Sequence, residues 1–446
     1  MNKLVHDIII IGSGPSGAVL AESLIEEKKK VTIIDQGYNT NTQIKKKDLG
    51  KKTYHPKIIK KDFHYVNYNF KKKNKILENN FSSLGSLAVG GLSNVWGGGY
   101  WERNKNKVNI EINKFLDKNF KIINFDSENS TKLTNYLNNN ITSVNYSNAD
   151  LLSLKNENEV YNSKKTIEKL KNEKNFSYLG DVFIDNIKKT GDNYTLIDDI
   201  GNEYNCRKLI LACGTLGSTR LIIKMNNLLN KKIKLCHNLN YGFVGFLKNK
   251  IKYNISNNHS ASSVFFFNRD SSQIKISGSI GRFNNELKNM IKKKFFFPFG
   301  YFINFFINFF KNNIVFGNIF FPTEFSNSNI HMDDSKNLII NGGENVSLKL
   351  EKEKTIKEFF FRNKKSFNNI YLKSFPIGSD AHYTSTMTKD SNLKELRTDD
   401  HGELLMNRNL FITDASILPS DGPHFPTFQI MVNSYKLGKY IAKLDD

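Results

Sequence analysis

Cysteine is scarce: the 446 residues hold three thiols, Cys206, Cys213 and Cys236. Three thiols make no disulfide framework, and no histidine cluster stands near them at zinc-binding spacing. A reducing, cytoplasmic compartment is the expectation. Acidic residues are also in deficit: 43 Asp and Glu face 65 Lys and Arg, for a net charge of +22. The lysines are scattered and no nucleic-acid-binding motif accompanies them, so nucleic acid is not an expected partner. Lys, Asn, Ile and Phe all have codons rich in A and T, which reads the excess as solvated surface. Attraction to an anionic membrane or a phosphorylated substrate is the sharper alternative. The N-terminal "MNKLVHDIIIIGSG" has too short an apolar run for a signal peptide and enters glycines at once.

The segment at 292–310, "KKKFFFPFGYFINFFINFF", sets Phe residues behind three lysines. Its apolar part falls short of the about 20 residues of a membrane span, and Pro298, Gly300, Asn304 and Asn308 interrupt it. It reads either as a core or substrate-lobe segment or as a peripheral membrane contact with lysines at the head groups.

What is present is an ordinary globular balance, 39% hydrophobic and 24% charged, in a chain long enough for two or more lobes. "HDIIIIGSGPSGAVLAESLIEEKKKVTIIDQG" carries the strongest pattern. Residues 7–11 are a β-branched run, typical of a buried parallel strand. A glycine turn follows, then a helix from Ser16 to about Glu27, then a strand from Val31 to Ile34 that ends at Asp35. Residues 176–205 alternate in short runs with Gly-Asp and Gly-Asn turns, which predicts an antiparallel meander. "KLILACGTLGSTRLIIK" reads as strand, glycine turn and helix; "NLFITDASILPS" as strand and turn; "PTFQIMVNSYKLGKYIAKL" as helix.

Gly12, Gly14 and Gly17 form G-x-G-x-x-G. The first permits a tight turn, the second lets backbone approach a pyrophosphate, and the third allows close helix–strand packing. The phosphates then meet the helix N-terminus, beside Ser16, where unpaired N–H groups favour anions. Asp35, 23 residues after Gly12, is placed for the hydroxyls of an adenosine ribose. A second strand–turn–helix some 200 residues later, preceded by a meander, suits FAD better than a free nicotinamide cofactor.

Four blocks now resemble the glucose–methanol–choline oxidoreductase family, its short bacterial members above all. They are "GSGPSG…IIDQG", "VGGLSNVWGGG", "LACGTLGSTRL", and the C-terminal "HYTSTM…NLFITDASILPS…FPTFQIMVNSY". The resemblance implies an α/β fold. A discontinuous Rossmann-like FAD-binding domain (1–105, 161–235, 374–446) would carry a cap or insertion at 106–160. A second α+β substrate lobe with an antiparallel sheet would occupy 236–373. It implies FAD-linked oxidation of an alcohol, with a sugar or sugar derivative preferred, and an electron acceptor that is oxygen, a quinone or a protein. His382 matches the family's active-site histidine, and an imidazole suits a base near neutral pH. The second catalytic position is occupied by Phe425, and a one-residue register shift brings His424 there instead. The expected cofactor contacts are Gly12, Gly14, Ser16, Gly17, Asp35, Gly90, Gly91, Ser93, Asn94, Trp96, Gly97, Val182, Gly214, Asp414, Ala415, Phe425 and Thr427. Val95 stands where some relatives attach FAD through histidine, so noncovalent FAD is expected. Rival readings are a flavoenzyme acting on a C=C or C–N bond, and a flavin-binding membrane-associated protein without turnover.

Overall fold

The computed structural model describes residues 5–38, 67–100, 110–123, 127–140, 144–252, 264–270, 273–282, 309, 311–420 and 425–444. His424 and residues 292–308 and 310 lie outside them.

β1 (Val5–Ile11), α1 (Pro15–Glu26) and β2 (Val31–Ile34) form the expected βαβ unit, with β1 and β2 parallel. On its other side β1 pairs in parallel with Glu203–Leu211, which explains its apolar run: both faces are covered. Side chains alternate across the sheet. Ile8 and Ile10 pack with Ala18, Leu20 and Leu24 of α1 and with Leu437 and Ile441 of the C-terminal helix, Pro426–Lys443. Ile9 and Ile11 pack on the opposite face with Leu221 and Ile222 of the helix Gly214–Met225. Each such side chain contributes about 1.5–3 kcal/mol of burial. The C-terminal helix lies close on α1: a Cβ at Gly438 would meet Ser23 Oγ at 2.5 Å, and that hydroxyl donates to the Tyr435 carbonyl at 2.8 Å.

The far edge of Glu203–Leu211 has two partners. Asn193–Asp198 pairs antiparallel with its first half and Leu410–Ile412 in parallel with its second, so the chain's C-terminal part completes the sheet. The meander runs from Ile184 to Leu211, shorter than expected. Phe176–Leu179 leaves it and pairs in parallel with β2. Its sequence, FSYL, fits either edge; the pairing is decided by its place next to Asn175, whose carbonyl takes the Val31 N–H at 2.9 Å.

A second sheet runs Phe367–Ser374, Asn240–Leu247, Ile314–Phe320, Gln273–Arg282, Val264–Asp270, Val144–Asn148, each neighbour antiparallel. Leu133 and Leu137 of the helix Ser127–Asn140 and Phe359 of the helix Lys349–Asn363 share its core. Val144–Asn148 falls within the expected cap yet serves as this sheet's edge strand, with Val144 and Tyr146 facing inward. A smaller sheet joins Ile233–Leu235, Ser328–Met332, Leu338–Asn341 and Ile76–Asn79. The fold is thus α/β, a Rossmann-like half joined to a lobe with its own antiparallel sheet. Among the described residues no helix is long and apolar enough to cross a membrane.

Candidate active site

The first glycine turn is shaped by protein on two sides and open on the third. Gly12 has φ +104°, and a Cβ there would lie 2.4 Å from the Ala212 carbonyl oxygen. A Cβ at Gly17 would lie 2.0 Å from the Gly12 oxygen. At Gly14, by contrast, no atom stands within 4 Å of that position. Gly14 is the N-cap of α1 and supplies no side-chain cap; Pro15 follows at the first turn. The helix therefore offers uncapped N–H groups to the open side.

Asp35 accepts a hydrogen bond from the Ser13 hydroxyl and a longer one, 3.4 Å, from Tyr178. Burial pushes its carboxyl up to about 6, against those hydrogen bonds. Ser13 Oγ also accepts the Gly90 N–H at 3.0 Å, which ties the first block to the second.

The second block owes most of its glycines to protein neighbours. A Cβ at Gly90, φ +87°, would meet the Lys164 nitrogen at 2.8 Å. One at Gly98 would meet Val160 Cγ1 at 2.3 Å, and one at Gly99 the Phe265 ring at 3.1 Å. Gly91, φ +57°, would touch the Gly14 Cα at 3.2 Å. Only Gly97 of this group has nothing within 4 Å. Asn94 is spent on structure: its amide donates to the Val89 and Gly91 carbonyls at 2.9 and 2.8 Å and accepts from Asn162 at 3.0 Å. Trp96 Nε1 donates to the Tyr161 carbonyl at 2.6 Å, fixing the indole.

All four blocks line one cavity of about 1280 Å³, open mouth included. Of the expected contacts, Gly12, Gly14, Ser16, Asp35, Gly91, Ser93, Trp96, Val182, Gly214, Asp414, Ala415 and Thr427 line it. Gly17, Gly90, Asn94, Gly97 and Phe425 do not; the first three pack the walls behind it. Three helix starts reach the cavity: Gly14–Ser16, Cys213–Leu216 and Pro426–Thr427. The N-cap residues of these helices, Gly14, Cys213 and Phe425, make no side-chain cap. The starts at Gly14–Ser16 and Pro426–Thr427 can offer N–H groups to a phosphate-bearing ligand, while Asp414 takes the Gly214 N–H at the third.

Asp414 joins the third and fourth blocks. Its buried carboxylate accepts from the hydroxyls of Ser218 and Ser416, the Ser416 N–H at 3.0 Å and the Gly214 N–H. Burial nevertheless raises its pKa. Sequence reading missed Ser13, Thr215 and Tyr383, although each lies inside a quoted block. Thr215 Oγ1 donates to the Tyr383 carbonyl at 2.6 Å, and the Tyr383 hydroxyl donates to the Gly378 carbonyl at 2.5 Å and accepts the Leu84 N–H at 2.8 Å. Phe70 and Phe183 also line the cavity, from stretches without any motif.

Ala381 and Tyr383 face the cavity; His382, between them, meets a set of rings instead. Its imidazole stands 5.2 Å from Phe320 and 5.8 Å from Phe425. Phe425 is in turn 5.5 Å from Phe265 and 5.8 Å from Phe320. Phe265 and Phe320 come from the second lobe's sheet, so the histidine lies where the two halves meet. Its side chain is 20% exposed. An imidazole so placed can exchange a proton with a ligand held against the aromatic wall. His424, outside the described residues, is not brought to it or kept from it.

No protein-family model matches the chain, and no curated protein matches its sequence. A solved structure of pyridoxine 4-oxidase from Mesorbium loti is similar to it in fold, with a TM-score of 0.65 at 12% identity, over 98% of this chain and 99% of that one. At that identity the likeness establishes the shared fold.

Proposed function

We propose that the chain is an FAD-dependent oxidoreductase of the glucose–methanol–choline type that oxidises the CH–OH group of an alcohol to a carbonyl. The observation that carries this reading is the joining of four sequence blocks around one cavity, with His382 flanked by two of its lining residues. The residues present fit the cofactor. The Gly12–Ser16 turn and the start of α1 would hold the pyrophosphate, and Asp35 the adenosine ribose. Ser93, Trp96, Ala415 and the helix start at Thr427 would enclose the flavin ring. Val95 is buried against Leu84 and Ala88 and offers no atom for covalent attachment. When bound, the flavin supplies a two-electron acceptor for the carbinol hydride, to be reoxidised by oxygen, a quinone or a protein.

His382 then takes the proton of the substrate hydroxyl. Phe320 and Phe425, packed on the imidazole, and Phe265, packed on Phe425, would shield that transfer from water and form the wall against which a substrate is held. Sugar hydroxyls buried against three phenyl rings would go unpaired, at a cost of about 1–3 kcal/mol each. The wall therefore favours an alcohol borne on a flat, apolar or aromatic ring over the sugar expected from the sequence. The alcohol acted on by the pyridoxine oxidase of like fold is compatible with that preference.

The test is anaerobic titration of the purified yellow protein with benzyl alcohol, pyridoxine and glucose, following oxidised flavin absorbance. Bleaching by a ring-bearing alcohol, lost in His382→Ala, is expected. Protein that carries no flavin, or flavin that no alcohol reduces, overturns the reading.

A further inference from the structure

Asp380 lies two residues before His382, and its side chain is fully buried, 0% exposed. One carboxylate oxygen, Oδ2, accepts the Asn238 N–H at 2.9 Å and the His382 N–H at 3.3 Å, and stands 3.9 Å from His382 Nδ1. The other, Oδ1, faces Nδ1 of His237 at 3.5 Å; that imidazole is also 0% exposed. The chain brings these groups together by a short antiparallel bridge. Cys236 N–H donates to the Thr384 carbonyl at 3.2 Å and Thr384 N–H to the Cys236 carbonyl at 2.8 Å, which lays 236–238 along 380–384.

Behind His237, its Nε2 is 3.0 Å from Ser328 Oγ, and that oxygen accepts the Gly343 N–H at 3.1 Å. The Asn238 carbonyl, 3.3 Å from Nδ1 of His237, can only accept, so Nδ1 carries the N–H, which lies between that carbonyl and Asp380, and Nε2 accepts from the serine hydroxyl. Phe81 packs edge-on against the same ring at 5.4 Å. A buried carboxylate is costly unless it is paired. Among the described residues the ion pairs made by Asp380 are with these two imidazoles and with no Lys or Arg. Among the described residues the Tyr383 hydroxyl is a further titratable neighbour, and it is engaged with Gly378 and Leu84.

We infer that Asp380, held by His237, is a positioning residue for His382: it keeps the Nδ1–H of that imidazole toward the carboxylate and leaves Nε2 for the substrate hydroxyl. The inference rests on the reading of His382 as the base. When the hydroxyl O–H bond breaks and the proton joins Nε2, the imidazolium formed lies beside a carboxylate that stays ionised. At 3.9 Å the pair is an ion-pair contact rather than a hydrogen bond. Burial alone would raise the Asp380 pKa, but the His237 hydrogen bond, the charges of both histidines and the Asn238 N–H hold it below the ordinary value.

The experiment is nitrogen-15 NMR of histidine-labelled, flavin-loaded protein across pH, with the His382 signals identified by their loss in His382→Gln. Neutral His382 is expected as the Nδ1–H tautomer. In Asp380→Asn its titration midpoint should fall by about one pH unit or more, because the imidazolium loses its counter-charge. An Nε2–H tautomer, or a midpoint that stays in place, overturns the inference. If Asp380→Asn does not fold, the wild-type tautomer decides in either direction. If His382→Gln still reduces its flavin with benzyl alcohol at the wild-type rate, the base assignment fails while the tautomer and midpoint still report on Asp380.

Discussion

Gly91 abuts Gly14: a Cβ at position 91 would lie 3.2 Å from the Gly14 Cα, across the join between the first and second blocks. Gly91 also has φ +57°, where an L-residue is strained by about 1–2 kcal/mol. Gly91→Ala is therefore expected to fold but to push the glycine turn toward the cofactor space. Flavin affinity should fall by about tenfold to a hundredfold, for a combined cost of about 1.4–3 kcal/mol. Flavin fluorescence during equilibrium dialysis measures it; unchanged affinity would refute the close contact.

Asp35 links pH to stability. Its carboxyl rises from 3.8 to about 6 in the folded chain, burial being the largest cause. The sign follows: the protonated form is favoured by folding, so this contribution is full below about 3.8 and is lost as pH rises through about 6. Flavin-free protein at pH 7 thus carries an unfavourable term of about 2 kcal/mol after allowance for partial solvent contact. Asp35→Asn should raise the Tm of the flavin-free protein at pH 7, gain little at pH 4, and weaken flavin binding. A lower Tm at pH 7 would show that the ionised form is the better folded one.

The first and third blocks were legible because each sets glycines between a strand pattern and a helix pattern. Gly12 and Gly17 are required by contacts made within the βαβ unit or by its neighbouring strand. The glycines at 90, 98 and 99 are different. They answer to Lys164, Val160 and Phe265, and no local pattern announces those partners. The sequence alone therefore credits the cofactor with demands that the protein itself makes. Long-range pairing hides other features in the same way. Phe176–Leu179 and Val144–Asn148 read as ambiguous short runs until their sheet partners are known. Asp380 stands two residues from His382, but His237 is far away in the chain, and the bridge between Cys236 and Thr384 brings it to them.

Val95 gives a chemical prediction. Its side chain is 4% exposed and packs with Leu84 and Ala88, so the second block presents hydrocarbon where an attaching histidine would be needed. Acid precipitation of the yellow protein should leave all flavin in the supernatant, seen by absorbance. Colour retained in the pellet after washing in denaturant would place a covalent bond elsewhere in the site.

Phe425 is the N-cap of the helix Pro426–Lys443 and makes no cap hydrogen bond. Two opposed effects follow from Phe425→Asn. An Asn cap stabilises the helix start by about 1 kcal/mol. The lost ring contacts with Phe265, Phe320 and His382, at 5.5, 5.8 and 5.8 Å, cost about 0.5–1.5 kcal/mol each. Stability should therefore fall only modestly, by about 1–3 kcal/mol, and the variant should still fold and hold flavin. Specificity should move more. The ring face lost from the aromatic wall should lower kcat/KM for benzyl alcohol by about tenfold to a hundredfold, while the new amide gives a hydroxylated substrate a partner. Stopped-flow reduction with benzyl alcohol and with glucose measures the ratio directly. If the ratio is unchanged, the aromatic wall does not touch substrate, and the preference for a ring-bearing alcohol falls with it.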